Sequence, residues 1–297
     1  MRRTVPVPFP IDLGRSLGPL RVGRNDPTIL LGPRTVVRAS RTPAGAATLR
    51  ADHHGDRFEV EAWGPGAECA LERAPELLGC LDDRAGFDPT DKVVGRLHRE
   101  HDGLRMPRTG RVMEALVPAI LGQRVTGFEA RRSYHQLVER WGEPAPGPGG
   151  LLLHPLPEQI AVIPYYELHL IGMERRRADA LKRIAAHGSR LEEAGAGPSA
   201  ALRERLESIP GIGVWTSAEV ARVVAGDADA VSVGDYHLKH LVSWALAGEP
   251  RGSDARMLEL LEPYTGHRGR VCLLLEAAGL HAPRRGPRRR IEPLAAR

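Results

Sequence analysis

The sequence predicts an α+β protein: an N-terminal antiparallel β-rich domain over residues 1–90, an all-α domain over 91–280, and a basic, disordered tail over 281–297. Three observations predict this. The first ninety residues are short β-prone runs divided by Gly-, Pro- and Asp-rich turns. After Phe87-Asp88-Pro89, apolar residues return instead at three- and four-residue intervals. The last stretch, from His281, is broken by Pro and Gly and holds six arginines against one glutamate.

Within the first domain, residues 28–31, 35–40, 46–52 and 57–63 read as strands, with turns at 41–45 and 53–56. Several alternate polar and apolar residues, as in an antiparallel sheet with one wet face. A short helix follows at 66–78. The helical domain shows amphipathic segments at 112–124, 128–141, 157–163, 175–186, 199–208, 214–224, 236–246, 254–261 and 269–278. Residues 142–150, GEPAPGPGG, form a Pro/Gly loop between two of them. No internal repeat is present.

The 297 residues suffice for two domains, and an apolar content of 42% suffices for a packed core. Aromatic content is only 4%, so each aromatic near a candidate site is informative. No apolar run reaches the ~18 residues of a membrane span, and the proline-rich start MRRTVPVPFP lacks a signal peptide's apolar stretch. Cys69, Cys80 and Cys272 are too few and scattered for a disulfide framework or an iron–sulfur cluster. A soluble, cytoplasmic, nucleoid-associated monomer is expected. The net charge of +5 resides entirely in the tail, so any nucleic-acid site must be a local motif rather than a basic field. The tail itself suits solubilisation and phosphate binding equally.

The most informative stretch is LESIPGIGVWTSAEVARVV, from Leu206 to Val224. One helix ends in a turn of Ile209, Pro210, Gly211, Ile212 and Gly213, and a second starts at once. Glycines without Cβ let a partner approach the backbone closely. The new helix adds unpaired N–H groups at its positive end, so the turn suits a DNA phosphate. An ordinary αα-corner has the same composition.

About two dozen residues downstream, GDADAVSVGDYHLKH places Asp235 after apolar Val231 and Val233 and before a helix beginning near Tyr236. Cleaving an N-glycosidic bond builds positive charge on the sugar, and one carboxylate beside C1′ stabilises it and orients water. Taken alone, an Asp before a helix reads first as an N-cap. Position 238 is Leu, so no capping box supports that role, and a cap does not exclude catalysis.

Hairpin and downstream Asp together resemble the helix-hairpin-helix Gly/Pro/Asp superfamily of DNA glycosylases, in particular the bacterial inducible 3-methyladenine branch. GLRMPR at 103–108, ALVPAILGQRVTGFEARRSY at 115–134, LIGMERRRADALKRIA at 170–185 and EPYTGHRGRV from Glu262 resemble it in the same order. The resemblance spans roughly residues 100–280 and implies a helix-hairpin-helix glycosylase domain acting on alkylated purines in double-stranded DNA. By position it makes Asp235 the catalytic carboxylate. The lyase members' Schiff-base lysine falls on Trp215, which implies a monofunctional enzyme. Trp215 then stacks on an alkylated base, or is a core tryptophan. Gln123 and Arg124 fall on the branch's Gln and wedge leucine, and Arg124 departs from that pattern. Glu219 and Leu273 stand where pocket aromatics are expected. Glu219 either bonds a base edge or faces water. Thr216 joins the DNA-binding set, and Lys239 contacts phosphate or pairs with a neighbouring ion.

The superfamily's hairpin often holds a monovalent cation on backbone carbonyls, here at 208–213; no other cofactor is implied. His237 and His240 have metal-compatible spacing but no third ligand. The alternative to the enzyme is a non-catalytic protein of the same fold that binds lesions or distorted DNA. Asp235 favours the enzyme, because a binder gains nothing from an anion facing DNA.

Overall fold

The computed structural model describes residues 1–283, so the arginine tail lies almost entirely outside the described residues. A five-stranded antiparallel sheet opens the chain: β1 (Arg2–Pro6), β2 (Ile29–Leu31), β3 (Thr35–Thr42), β4 (Gly45–His53) and β5 (Arg57–Trp63), in the order β1-β5-β4-β3-β2. Alternation fixes which face is buried: Phe58, Val60 and Ala62 of β5 point inward while Glu59 faces water. Short helices Leu13–Leu17, Ala67–Glu72 and Ala74–Leu77 contribute Leu13, Leu17, Leu71 and Leu77 to the core on this sheet. β1 was hidden in the sequence by its prolines. It is an edge strand, where Pro6 can close the strand without breaking a central ladder.

The helices enclose two cores. One gathers Val112–Leu121, Gly127–Trp141, Arg175–Ala186, Ser199–Glu207 and Val214–Val224 around Leu116, Ile120, Leu137, Leu181 and Val220. The other gathers Lys92–Glu100, Leu238–Ala247, Asp254–Leu261 and Arg268–Ala277 around Val94, Leu97, Val242, Met257 and Leu274. Four short helices were not expected: Leu13–Leu17, Lys92–Glu100, Tyr165–Leu170 and Gly188–Ala194. Each spans fewer than three turns, too little for a periodic pattern to register. The Pro/Gly loop is bounded by a two-stranded ladder, Glu143–Pro144 on Leu152–Leu153, and Leu151 and Leu153 pack beside Ala39 of the sheet. Among the described residues no helix is long and apolar enough to cross a membrane.

Buried polar contacts join sheet and helices. The Glu114 carboxylate accepts from Arg38 Nη2 at 2.5 Å, Ser40 Oγ at 2.9 Å and the Arg41 backbone N–H at 2.7 Å. Beside it, the Tyr134 hydroxyl lies 3.3 Å from Thr28 Oγ1 and 2.9 Å from His154 Nε2. Burial works to raise the pKa of Glu114. Arg38, His154 and the Arg41 and Ser40 hydrogen bonds together outweigh it and hold the carboxyl below its ordinary value of 4.5. A depressed folded-state pKa means that this stability is complete above the ordinary carboxylate range and is lost as pH falls through the folded value.

Replacing Glu114 by Ala strands the buried Arg38 guanidinium, and urea denaturation is expected to show a loss of about 3–5 kcal/mol. A loss under about 1 kcal/mol, the scale of an exposed ion pair, would show that these contacts do not hold the sheet to the helices.

Candidate active site

The turn between Ser199–Glu207 and Val214–Val224 is anchored from below. Ile209 and Ile212 are buried in the first helical core, so only their backbone is available to a partner. Gly211 has φ +99°, a conformation that favours glycine, and a Cβ there would stand 3.0 Å from Ala180 Cβ. Gly213 is extended and open in front, with no atom within 4 Å of where a Cβ would be. Two side chains clamp the turn from behind: Arg183 Nη1 donates to Pro210 O at 3.0 Å, and Gln123 Nε2 donates to Gly211 O at 3.1 Å. Gln123 also donates to Thr216 Oγ1 at 2.9 Å. Gln123 and buried Thr216, both expected in the DNA-binding set, therefore fasten the hairpin to the 122–125 loop. The carbonyls of Ile209, Pro210 and Gly211 each accept one protein hydrogen bond and keep a second lone pair. The turn's oxygens thus fit a weakly held monovalent cation, which would brace the backbone.

Asp235 stands at the far side of the Val214–Val224 helix's first turn. Its Oδ1 accepts the backbone N–H of His237 at 2.7 Å and of Leu238 at 2.8 Å. The helix begins at Leu238 rather than near Tyr236, because Asp235 and the residues after it form the capping turn. Its Oδ2 accepts the indole N–H of Trp215 at 3.2 Å. The geometry gives Trp215 a polar task that stacking alone would not: it holds the carboxylate. Its ring also approaches Gly122, where a Cβ would sit 3.7 Å from it. Lys239 pairs with Asp254 at 3.3 Å, and Asp254 accepts the Gly234 N–H at 3.1 Å. Lys239 thus braces the loop before Asp235, the ion-pairing option of the two expected for it.

A charged wall continues along the same helix. Trp215, Glu219 and Arg222 are spaced i, i+4 and i+7 and share one face. Glu219, expected either to bond a base edge or to face water, is part-buried and engaged by the protein itself. One of its oxygens accepts from Ser232 Oγ, and the other meets Arg222 Nη2 at 3.1 Å. Arg222 Nη1 bonds Glu276 Oε2 at 3.0 Å on the last helix. Glu219 first, then Glu276, raise the pKa of Arg222 against the effect of burial, so the guanidinium stays charged. The Glu276 carboxyl is raised above its ordinary value, first by burial and then by Glu219 and Asp235, against the pull of Arg222. Leu273, expected in the pocket, is instead 5% exposed and packed in the second core. Glu276, three residues on, is the member of that helix facing Arg222. Glu276 and Arg222 were missed; the seven-residue spacing from Trp215 to Arg222 was the available signal for the latter.

Two exposed side chains border the site. Arg124 has φ +58°, the only positive φ outside glycine among the described residues, and projects from the loop fastened by Gln123. Tyr236, next to Asp235, is 70% exposed.

Two helices closed by a Pro-Gly-x-Gly turn, with a clamped carboxylate after the second, define a helix-hairpin-helix protein. Residues 117–265 match the family described as HhH-GPD superfamily base excision DNA repair protein. The chain belongs to that superfamily. It is 34% identical over 172 residues to a probable bifunctional transcriptional activator/DNA repair enzyme AlkA of Mycobacterium tuberculosis, covering 57% of this chain and 33% of the relative. It is 31% identical over 150 residues to DNA-3-methyladenine glycosylase 2 of Escherichia coli, covering 50% of this chain and 53% of that protein. The chain thus spans a third to about half the length of these relatives. The structure of a 3-methyladenine DNA-glycosylase from Archaeoglobus fulgidus is similar in fold, with a TM-score of 0.76, 19% identity, and coverage of 93% of this chain and 98% of that one.

Removing the Gln123 amide deletes two hydrogen bonds that tie the hairpin down. Gln123→Ala is expected to destabilise the protein by roughly 1–2 kcal/mol and to speed amide exchange at Gly211 and Gly213. Unchanged exchange at the turn would contradict the clamp.

Proposed function

We propose that this protein is a monofunctional DNA N-glycosylase that hydrolyses the bond between deoxyribose and alkylated purines of the 3-methyladenine and 7-methylguanine type. The observation that carries the proposal is Asp235. Its carboxylate receives three N–H donors from two elements and stands one helix after an open glycine turn. The family supplies the class of reaction, and the name of the Escherichia coli relative, DNA-3-methyladenine glycosylase 2, supports the class of lesion.

The chemistry follows from placement. Backbone N–H groups at Gly211 and Gly213, beside the positive end of the Val214–Val224 helix, grip a phosphate of duplex DNA. Arg124, on its strained loop, enters the stack where the damaged nucleotide leaves it, its guanidinium stacking in the gap. As the C1′–N bond lengthens, positive charge grows on the sugar, and the Asp235 carboxylate stabilises it. Water then adds to C1′. Trp215 fixes the carboxylate, so substrate binding need not order it. An alkylated purine carries its own positive charge and needs no strong acid to leave. Trp215 stands where a Schiff base would require an amine, and Lys239 is tied to Asp254, so the backbone of the product DNA stays intact. A monovalent cation on the 208–213 carbonyls would stiffen the phosphate grip and take no part in bond cleavage.

Duplex DNA carrying 7-methylguanine is expected to yield the free base by chromatography, with no strand nicking. Asp235→Asn should lose at least about 100-fold in single-turnover rate while still binding the duplex. Trp215→Phe, which keeps a ring but no donor, should lose about tenfold. Undiminished release by Asp235→Asn, or nicked product, would overturn the assignment.

A further inference from the structure

The wall formed by Glu219, Arg222 and Glu276 has no part in the mechanism above. A cationic leaving group would be served by ring faces. Here the helix face beyond Trp215 instead presents three charged groups linked through one guanidinium. The three are not equivalent. Both oxygens of Glu219 are engaged, by Ser232 and by Arg222. Arg222 spends both terminal nitrogens on the two carboxylates. Glu276 alone keeps an uncommitted oxygen: Oε2 accepts from Arg222, Oε1 takes no hydrogen bond from a described residue, and the side chain is 43% exposed.

Position completes the case. Asp235 is held at the start of the Val214–Val224 helix through Trp215, and Glu276 is held seven residues further along through Arg222. Their anchors are offset by about 10 Å along the axis, which sets the two carboxylates at different points along one face of the helix. Two carboxyls flanking a leaving group, one of them with its proton affinity raised, are the arrangement that divides acid from electrostatic stabiliser.

We propose that Glu276, in its acid form, protonates the departing base, so that the site releases uncharged purines as well as cationic ones. The proposal rests on Asp235 acting as described above. The Glu276 carboxyl gives its proton to a ring nitrogen of the purine. The C1′–N9 bond breaks with its electron pair remaining on the base. Water adds its oxygen to C1′ and loses a proton to solvent, and Glu276 takes a proton back. One water is consumed and a neutral base is released.

The groups facing Glu276 favour this. Burial, then the charges of Glu219 and Asp235, raise its proton affinity, and Arg222 opposes them. On its own helix the neighbouring Cys272 thiol is held protonated, first by burial and then by Glu276 itself. The helices Lys92–Glu100 and Leu238–Ala247 pack on the last helix through apolar Val94, Leu97 and Val242. Release of a neutral purine should therefore be fastest at low pH and fall as pH rises through the Glu276 pKa.

The test compares single-turnover release of hypoxanthine, a neutral purine, and of 7-methylguanine, a cationic one, from otherwise identical duplexes across pH. Wild type should release both, with only the hypoxanthine rate declining toward high pH. Glu276→Gln should lower the hypoxanthine to 7-methylguanine rate ratio by about 100-fold and flatten the hypoxanthine profile. Glu276→Asp, which restores a proton, should recover part of that ratio, which separates lost chemistry from lost folding. An unchanged ratio in Glu276→Gln, or wild type releasing 7-methylguanine but never hypoxanthine, would overturn the acid role while leaving the glycosylase assignment standing. Release of neither base by wild type would overturn both.

Discussion

The site depends on one constraint: a carboxylate fixed from two sides before any substrate arrives. The Trp215 indole reaches Asp235 from the hairpin's second helix, and the N–H groups of His237 and Leu238 reach it from the next one. The same helix that begins at the glycine turn therefore sets the position of the charge. In the proposed reaction, a phosphate on the turn and a sugar carbon beside Asp235 would be held in register by one rigid element. Preorganisation of this kind removes the need to order a charged side chain at the moment of reaction.

The surroundings serve that constraint. Gln123 ties the 122–125 loop to the turn, Arg183 ties the turn to the Arg175–Ala186 helix, and Asp254 with Lys239 steadies the loop before Asp235. Small residues permit the approach: Ala218 and Ala221 of the hairpin helix pack directly on Ala230. The opposite end of the helix carries Arg222 between its two carboxylate partners, so one element holds both the polar anchor of Asp235 and the charged wall.

The architecture was largely legible because its signals are local. The change of period after Pro89 marked the passage from strands to helices, and strand β5 alternates cleanly. Pro210, Gly211 and Gly213 marked the hairpin, and Asp235 was marked by its place after it. What escaped the sequence are the partners. Gln123 and Thr216 are 93 positions apart, and Arg222 and Glu276 are 54 apart, so no spacing rule links them. Leu273 and Glu276 lie on the same ten-residue helix. One turn of error exchanges a core leucine for an acid facing Arg222, and an all-round apolar run such as Val271–Leu275 hides which face is wet. Lys239 shows the same limit: its charge was visible, but not that Asp254 had claimed it.

The most direct measurement is a crystal structure of the protein on duplex DNA holding a positively charged abasic-sugar mimic. The account predicts the Asp235 carboxylate in contact with the cationic ring at the C1′ position, still bonded to Trp215, with a phosphate on the N–H groups of the glycine turn. A sugar ring seated away from Asp235, with that carboxylate turned to water, would contradict it.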